Sequence, residues 1–499
     1  MQENALKNTG HDKVISLDVT SSQCYQQALA DLRPIVHRAS DKNDAHVRER
    51  HQPITQPELS RREVLRRLLG LPTAGLLGVG SLGLSMGLGG CSSTPLAITP
   101  KLSAENAALR ALDMAKLAAQ AGTFGVGGVL IDNASGRVAH ALSNQVMGSL
   151  TGDELRGGQI QAFTQDPTAH GETGLVRWYF ANAAALQLPP PEQMTIVTTL
   201  DPCAMCTGAL VATGFNVAVI AEDAYAGINW GGQQNFSAFP EHIRQSLERQ
   251  FSYLAIESVR AFAGRAQGLY ARDSVSAKTA RACSNLFTES VQKVRLSSSG
   301  AGLNPTQLID PISLPIDNPA RKGWHRAFPD AFSIRLNHYR QPDNALRNYL
   351  EKLVQDMPGS RNAVAFIDSF GNLLMASPDR FDSSPIATAF MNLTQAYAKL
   401  RFDLMNDPLS RSPAESSFTA PRYGTFVFLH APDPEDPLTL KDLGAYGSTL
   451  EGAIPISSPS HFQFYSPPQK GTVRQLKALI AAMPPFYNQL VNIDPQPVT

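Results

Sequence analysis

The chain has 499 residues, which is too long for one hydrophobic core, so two or more domains are expected. With 43% hydrophobic and 17% charged residues, it is too apolar for a disordered protein. Lys plus Arg and Asp plus Glu each number 43, so the composition does not indicate the basic surface of a nucleic-acid-binding protein.

Residues 1–90 predict a polar leader followed by an export signal. Arg61 and Arg62 precede an uncharged, glycine-rich run over 68–90, which resembles a twin-arginine signal. The motif "LGGC" ends at Cys91 and resembles a bacterial lipobox, which implies acylation of Cys91. We therefore expect an exported protein, in the periplasm or on the cell surface, anchored to the membrane by an N-terminal lipid. The alternative is a retained membrane helix, because 23 residues can span a bilayer, but eight glycines in the run disfavour it.

Residues 91–103 are expected to form a tether, and residues 104–265 predict an α/β domain. An alanine-rich helix is followed by a hairpin, "FGVGGVLID" and "RVAHAL", around "NASG". Helices and β-branched strands then alternate: "HGETGLVRWYFANAAAL", "MTIVTTL", "CAMCTGALVATG" and "NVAVIAE". This order predicts a three-layer α/β/α domain with a mixed sheet.

Two cysteines in "TTLDPCAMCTGALVATG" are the strongest chemical signal of the sequence. Cys203 and Cys206 are predicted on the first turn of a helix, where their side chains share one face and thiolates are favoured. His170 and Glu172 open another predicted helix. One His and two Cys would leave the fourth tetrahedral position of zinc open, as in catalytic sites.

Two other interpretations of these cysteines stay open from the residues alone. A Cys-x-x-Cys pair in an exported protein can form a disulfide or a redox centre. A closed structural zinc site would need a fourth ligand, which His140 or His242 could supply.

The combined pattern H-x-E and P-C-x-x-C, with Pro202 in place, resembles the zinc deaminases of the cytidine and deoxycytidylate deaminase superfamily. "DPTAHGE" is similar to guanine deaminases and "TTLDPCAMCTGA" to cytosine deaminases; tRNA adenosine deaminases belong to the same branch. The resemblance implies a Zn²⁺ cofactor held by His170, Cys203 and Cys206, with Glu172 as the proton shuttle. It also implies that Asn144 contacts the base. Trp230 in "GINWGG" is a candidate to close the pocket, with simple packing as the alternative.

Residues 266–325 are expected to form a helical segment and a linker, and residues 326–460 a second α/β domain. "RNAVAFIDSFGNLLMAS" repeats the strand–turn–strand pattern of the first domain, and Pro432 in "TFVFLHAPDPED" matches Pro202. Asp433 and Asp436 stand where the cysteines would be, which predicts a degenerate deaminase-like domain that binds no zinc. An unrelated α/β domain is the alternative. Residues 461–499 are expected to form a helical tail.

These features predict an exported zinc hydrolase that converts the amidine of a nucleobase or nucleoside to the oxo form with release of ammonia. The expected partners are a small base or nucleoside and the membrane, without nucleic acid. A homodimer or an intrachain pseudo-dimer is expected. The alternatives are a deaminase or toxin that edits polynucleotides and a non-enzymatic binding protein on a deaminase fold.

Overall fold

The computed structural model describes residues 101–150, 162–231, 236–262, 264–296, 305–418, 420–450 and 461–499. All of them belong to one compact unit. The predicted twin-arginine signal and Cys91 lie outside the described residues. No described helix has the length and apolarity that crossing a membrane requires.

The strands of the first half of the unit, residues 101–296, are β1 (Gly127–Asp132), β2 (Val138–Ser143), β3 (Met147–Ser149), β4 (Ala162–Thr164), β5 (Met194–Leu200), β6 (Asn216–Ala221), β7 (Phe251–Tyr253), β8 (Ala255–Ile256) and β9 (Ser274–Val275). Five of them form a mixed sheet of order β2-β1-β5-β6-β7. In this sheet β1 pairs antiparallel with β2 and with β5, whereas β5, β6 and β7 run parallel. Apart from this sheet, β3 pairs antiparallel with β4, and β8 pairs parallel with β9.

Helices cover both faces of this sheet. They are α1 (Ala104–Gln120), α2 (Gly171–Leu186), α3 (Ala204–Thr213), α4 (Glu241–Gln250) and α5 (Ala277–Leu296). Side chains alternate along each strand, so Leu130 and Ile196 pack on the α2 and α3 side, whereas Val129 and Val197 pack on the α1 and α5 side. The predicted three-layer α/β/α architecture with a mixed sheet is confirmed.

Local sequence explains why these elements form. The Ser103 hydroxyl caps α1 by accepting a hydrogen bond from the Asn106 N–H at 3.2 Å. Every residue of the β-branched central strand β5 is buried, as expected for a strand covered on both faces. At Gly127 an added Cβ would lie 2.5 Å from the Ala115 nitrogen, so only glycine lets α1 approach β1 this closely.

The predicted boundary at residue 265 differs from the structure. Helix α5 packs on the first sheet rather than belonging to a linker. Glu105 of α1 accepts hydrogen bonds from Thr279 at 2.6 Å and from the backbone of Ser276 at 2.8 Å. The amphipathic pattern of α5 predicted a helix but not the surface that it covers.

The second half, residues 305–499, contains the strands β10 (Ala363–Ile367), β11 (Leu373–Pro378), β12 (Thr425–His430), β13 (Phe462–Ser466) and β14 (Gln496–Pro497). They form a second five-stranded sheet of order β11-β10-β12-β13-β14, whose strand directions repeat those of the first sheet. The hairpins of the two sheets shift register at the equivalent point, between Leu130 and Ile131 and between Phe366 and Ile367. Its helices are α6 (Pro319–Ala327), α7 (Asn344–Asp356), α8 (Ala389–Asn406), α9 (Arg411–Ser417), α10 (Pro437–Thr449) and α11 (Val473–Ala482).

The prediction of a helical tail over 461–499 is wrong. This segment supplies β13 and β14 to the second sheet, with α11 and a π-helical turn at Phe486–Leu490 between them. The second sheet therefore continues well past residue 460. A strand of two residues such as β14 carries no periodicity that a sequence could reveal.

The two halves pack through helices α3 and α10, which run antiparallel. A Cβ added at Gly208 would lie 2.2 Å from the Lys441 nitrogen, and one added at Gly444 would lie 2.0 Å from the Met205 nitrogen. The helix backbones are therefore nearly in contact, and this contact joins the two halves within one chain.

Candidate zinc site

Two helix starts bring the predicted metal ligands together at one edge of the first sheet. His170 is the N-cap residue of α2, and Cys203 is the N-cap residue of α3, which follows β5. Neither side chain makes the usual capping hydrogen bond to its own helix. Both are therefore available to a ligand between the helices.

The three ligand atoms fit zinc. Nδ1 or Nε2 of His170 and the Sγ atoms of Cys203 and Cys206 all lie within 4.8 Å of one another. The distance from Cys203 Sγ to His170 Nδ1 is 3.5 Å. Zinc bonds of about 2.3 Å to sulfur and about 2.0–2.1 Å to nitrogen, at the tetrahedral angle, place the two atoms roughly 3.5 Å apart. A donor set of two thiolates and one imidazole selects zinc over hard cations.

The metal-free thiols differ in acidity. The hydrogen bond from Cys206 and the neighbouring His170 bring the pKa of Cys203 well below its usual range, although burial opposes this. Burial raises the pKa of Cys206 well above its usual range. Burial alone would lower the pKa of His170, but the adjacent Cys203 outweighs it and the net shift is upward. These shifts favour the thiolate form of Cys203 and the protonated form of the neighbouring His170 imidazole.

Glu172 lies beside this cluster. It is 3% exposed, and its Oε2 accepts a hydrogen bond from Cys206 Sγ at 3.3 Å. Its other oxygen, Oε1, accepts from the Thr198 hydroxyl at 2.7 Å. Burial, and then the charge of Cys203, raises the pKa of Glu172. Thr198 is an orienting residue that the sequence analysis missed; its place on the inner face of β5 was the available signal.

Asn144 follows β2 and is 3% exposed. Its Oδ1 accepts from the Thr123 hydroxyl at 2.8 Å and from the Val146 N–H at 3.0 Å. Both contacts use the oxygen, so the amide nitrogen is the polar atom that this side chain can offer to a ligand.

Trp230 follows a loop that runs beside Cys203. The Ile228 N–H donates to the Pro202 carbonyl at 2.9 Å, and the Asn229 N–H donates to Asp201 Oδ2 at 2.8 Å. The indole N–H of Trp230 donates to the Ala482 carbonyl at 3.4 Å. This side chain therefore ties the loop to the C-terminal part of the chain, and its predicted contact with substrate stays a prediction.

The alternative ligands take no part in the cluster. The ring of His140 stacks on Trp178, with centroids 4.1 Å apart, and His242 lies on the exposed face of α4. Among the described residues, the metal-binding group is His170, Cys203 and Cys206. Cys203 and Cys206 are free thiols rather than a disulfide. His170 and Cys203 are partly exposed, and three protein ligands among the described residues leave the fourth tetrahedral position of zinc to water, as in catalytic sites.

A tyrosine from the second half lies near the cluster. Burial, and then the charge of Cys203, raises the pKa of Tyr487 well above its usual range. No local motif links residue 487 to the cysteines, so sequence reasoning had no means to find it.

Comparison with known proteins concerns this first half. Residues 102–222 match the family model for the cytidine and deoxycytidylate deaminase zinc-binding region. This stretch contains Asn144, His170, Glu172, Cys203 and Cys206, whereas Trp230 and the second half lie outside it. The match and the His/Cys/Cys cluster together support Zn²⁺ as the cofactor.

Solved structures of deaminases are similar to the chain. One comes from studies of A-to-I editing by tRNA:A34 deaminases, with 26% identity, 26% of this chain and 85% of that chain covered, and a TM-score of 0.20. Another is guanine deaminase from Nitrosomonas europaea, with 17% identity, 43% of this chain and 98% of that chain covered, and a TM-score of 0.23. No curated protein matches this sequence.

Proposed function

We propose that this protein is a zinc-dependent hydrolase that deaminates a nucleobase or nucleoside to its oxo form with release of ammonia. The observation that carries the proposal is the pairing of an open His/Cys/Cys cluster with a buried carboxylate that is not part of it. A structural zinc site has no use for such a carboxylate. When bound, Zn²⁺ lowers the pKa of a water molecule to around 7 and so supplies a nucleophile at neutral pH.

Glu172 is the proton carrier of the proposed reaction. Thr198 fixes Oε1, so Oε2, which faces Cys206, is the oxygen placed to take a proton from the attacking water. The raised pKa favours the protonated carboxyl, which would then deliver the proton to the ring nitrogen and the leaving amine.

Asn144 is the proposed substrate contact. Because Thr123 and Val146 hold its oxygen, the amide nitrogen is fixed as a donor toward a ring nitrogen or carbonyl of the base. A buried donor held this way discriminates against substrates without an acceptor, since such a substrate would leave the donor unpaired.

The proposal also covers the remaining parts of the chain. We propose that the second half is a deaminase-like unit without zinc ligands, which pairs with the first half as an intrachain pseudo-dimer. The repeated sheet order supports this. We also propose that the protein is exported and lipid-anchored, which the twin-arginine and lipobox motifs of the sequence support.

The decisive experiment is ammonia release from guanine, cytosine, adenine and their nucleosides, combined with zinc analysis. We expect Glu172→Gln to keep its zinc and to lose about 10²–10⁴-fold in turnover of the preferred substrate. Glu248→Gln, on the surface of α4, is the matched control and should behave like the wild type. A Glu172→Gln variant that keeps full activity or loses its metal contradicts the assigned role. A zinc-loaded wild type that releases no ammonia from any of these compounds contradicts the proposed function.

A further inference from the structure

One carboxylate holds together the turn that leads into His170. This turn joins β4 to α2, and Asp166 Oδ1 accepts hydrogen bonds from the Thr168 N–H at 2.8 Å and from the Thr168 hydroxyl at 2.5 Å. The Ala169 N–H donates to the Asp166 carbonyl at 3.1 Å. An aspartate that accepts from the backbone two residues further on closes a tight turn. The direction in which the chain enters α2 at His170 therefore depends on Asp166.

The same turn is bound to the helix that follows it. The carbonyl of the buried Thr168 accepts from the Thr173 hydroxyl at 2.7 Å and from Arg177 Nη2 at 3.0 Å. Arg177 Nη1 also lies 3.3 Å from Asp166 Oδ2. A displaced Asp166 carboxylate would thus shift the turn against the first two turns of α2, where His170 is the N-cap residue.

The outer carboxylate oxygen faces the other half of the chain. Asp166 Oδ2 accepts from Gln395 Nε2 on α8 at 2.9 Å. Two helical turns further along α8, on the same face, the ring of Phe402 packs at Gly148 of β3, where an added Cβ would lie 3.0 Å from a ring carbon. Helix α8 therefore contacts both β3 and the turn before α2.

Gln395 is the closer of the two donors that fix this outer oxygen. Charge-assisted N–H···O bonds are typically about 2.7–2.9 Å long, so the 3.3 Å contact with Arg177 is a weak one. The side chains of Asp166 and Arg177 are 16% and 27% exposed, so water reaches the pair only in part. Without Gln395, the carboxylate would keep its bonds to Thr168 but lose its better outer partner.

We propose that Asp166 is a positioning residue for the metal ligand His170 and that Gln395 holds Asp166 in place from the second half. The half without zinc ligands thereby helps to build the metal site of the other half. The proposal rests on the zinc site of the proposed function, but it can be tested without turnover.

The first test replaces Gln395 by Met, which keeps the length of the side chain and removes the N–H donor. Release of zinc to a chelator at pH 7 should be about 10-fold faster, because groups that orient metal ligands strengthen metal binding. With Co²⁺ in place of Zn²⁺, the visible absorption bands should shift, since they report the geometry of the ligands. Lys399→Met is the matched control, because it removes a donor to Asp403 at 2.8 Å one turn further along the same helix.

The second test reverses the polarity of the contact. Gln395→Glu places a carboxylate against Asp166 Oδ2, so zinc release should be faster than in Gln395→Met. Adding Asp166→Asn to this variant should slow it again, because the new amide can donate to the new carboxylate while its oxygen still accepts from Thr168. Urea unfolding of the same chains separates this effect from a general loss of stability.

Zinc release and cobalt spectra that match those of Lys399→Met in both Gln395 variants would overturn the proposal, even if urea unfolding showed a loss of stability. So would a double variant that releases zinc as fast as Gln395→Glu alone. Either result would leave the deaminase proposal standing. An absence of ammonia release from the zinc-loaded wild type would contradict that proposal and leave these metal readouts valid.

Discussion

In the first half, Glu172 on α2 meets the hydroxyl of Thr198 on the central strand. In the second half, Phe390 on α8 and Phe428 on β12 occupy the corresponding positions, and their rings stack with centroids 5.5 Å apart. The same two places on one fold hold a hydrogen-bonded polar pair in one half and a hydrophobic pair in the other. The fold therefore fixes the two positions, and the side chains at them determine whether they form a polar contact or part of the hydrophobic core.

The metal ligands differ in the same way. Thr388 caps α8, where His170 begins α2, and its hydroxyl accepts from the buried Lys441 ammonium at 2.6 Å. Helix α10 begins later than α3, because Asp436 caps it by accepting from the Leu438 N–H at 2.9 Å. Asp433 accepts from the Lys470 N–H at 2.7 Å. The aspartates thus hold backbone together in the positions where the sequence suggested displaced cysteines.

One task is common to both halves. Asn144 and Asp379 directly follow the second strand of their hairpins, at equivalent register. Asn144 ties Thr123 to Val146, and Asp379 accepts from the N–H groups of Asn362 and of Ala389 at the start of α8. A polar residue here fastens the end of the hairpin, so the position has a structural role that is independent of substrate.

The largest expected difference between the halves is metal content. Cys206→Ala should remove nearly all zinc, whereas the wild type should bind about one per chain, because each thiolate is one of only three protein ligands. Asp436→Ala should keep about one zinc and lose about 1 kcal/mol of stability from its helix cap. Elemental analysis of both variants measures this. Two zinc ions per wild-type chain, or zinc loss in Asp436→Ala, would contradict the comparison.

A smaller difference is expected in stability. Phe390→Ala should lower the free energy of unfolding by about 3–5 kcal/mol, because it empties a site among Phe426, Phe428 and Tyr446. Glu172→Ala should cost much less, since it removes a buried carboxyl whose ionisation is unfavourable there. Urea unfolding of the zinc-loaded variants gives both values. Equal losses would mean that the two positions share a packing role after all.

The sequence predicted the parts of the site that local motifs encode. Cys203 and Cys206 lie three residues apart at the start of one helix, so their spacing alone indicates a shared face. His170 and Glu172 lie only two residues apart, and the H-x-E motif rather than a shared helix face joined them. The hairpins and the α/β layers follow from alternation and helical periodicity. Strand alternation could have put Thr198 on the face of β5 that lies toward α2, but Tyr487 and strand β14 depend on contacts between distant segments, which no spacing rule reports. The helical tail was wrong for the same reason, because a short strand becomes one only through its neighbour in the sheet.

The smallest expected effect concerns His461 in the second half and Asn216, its counterpart in the first half. His461 directly precedes β13, which pairs with β12, and Asn216 begins β6, which pairs with β5. Asn216 donates to the carbonyls of Glu192 and Met194 at 2.7 and 3.1 Å. His461 contacts Tyr446 through Nδ1, but its Nε2 has no partner among the described residues. Burial, helped by Arg340, lowers the pKa of His461 to about 3.

His461 therefore binds a proton below about pH 6.5 in the unfolded chain but only below about pH 3 in the folded chain. Stability is unaffected by this residue above pH 6.5 and falls as the pH drops below it. Between pH 7.5 and 5.5 the wild type should lose about 1.4 kcal/mol that His461→Asn does not lose. Urea unfolding of both chains at both pH values isolates the contribution of His461 to the free energy of unfolding. The titration of the zinc ligands is the same in both chains and cancels in the difference. Parallel pH dependence in the two chains would show that His461 takes up its proton equally in the folded and unfolded states, and would contradict this prediction.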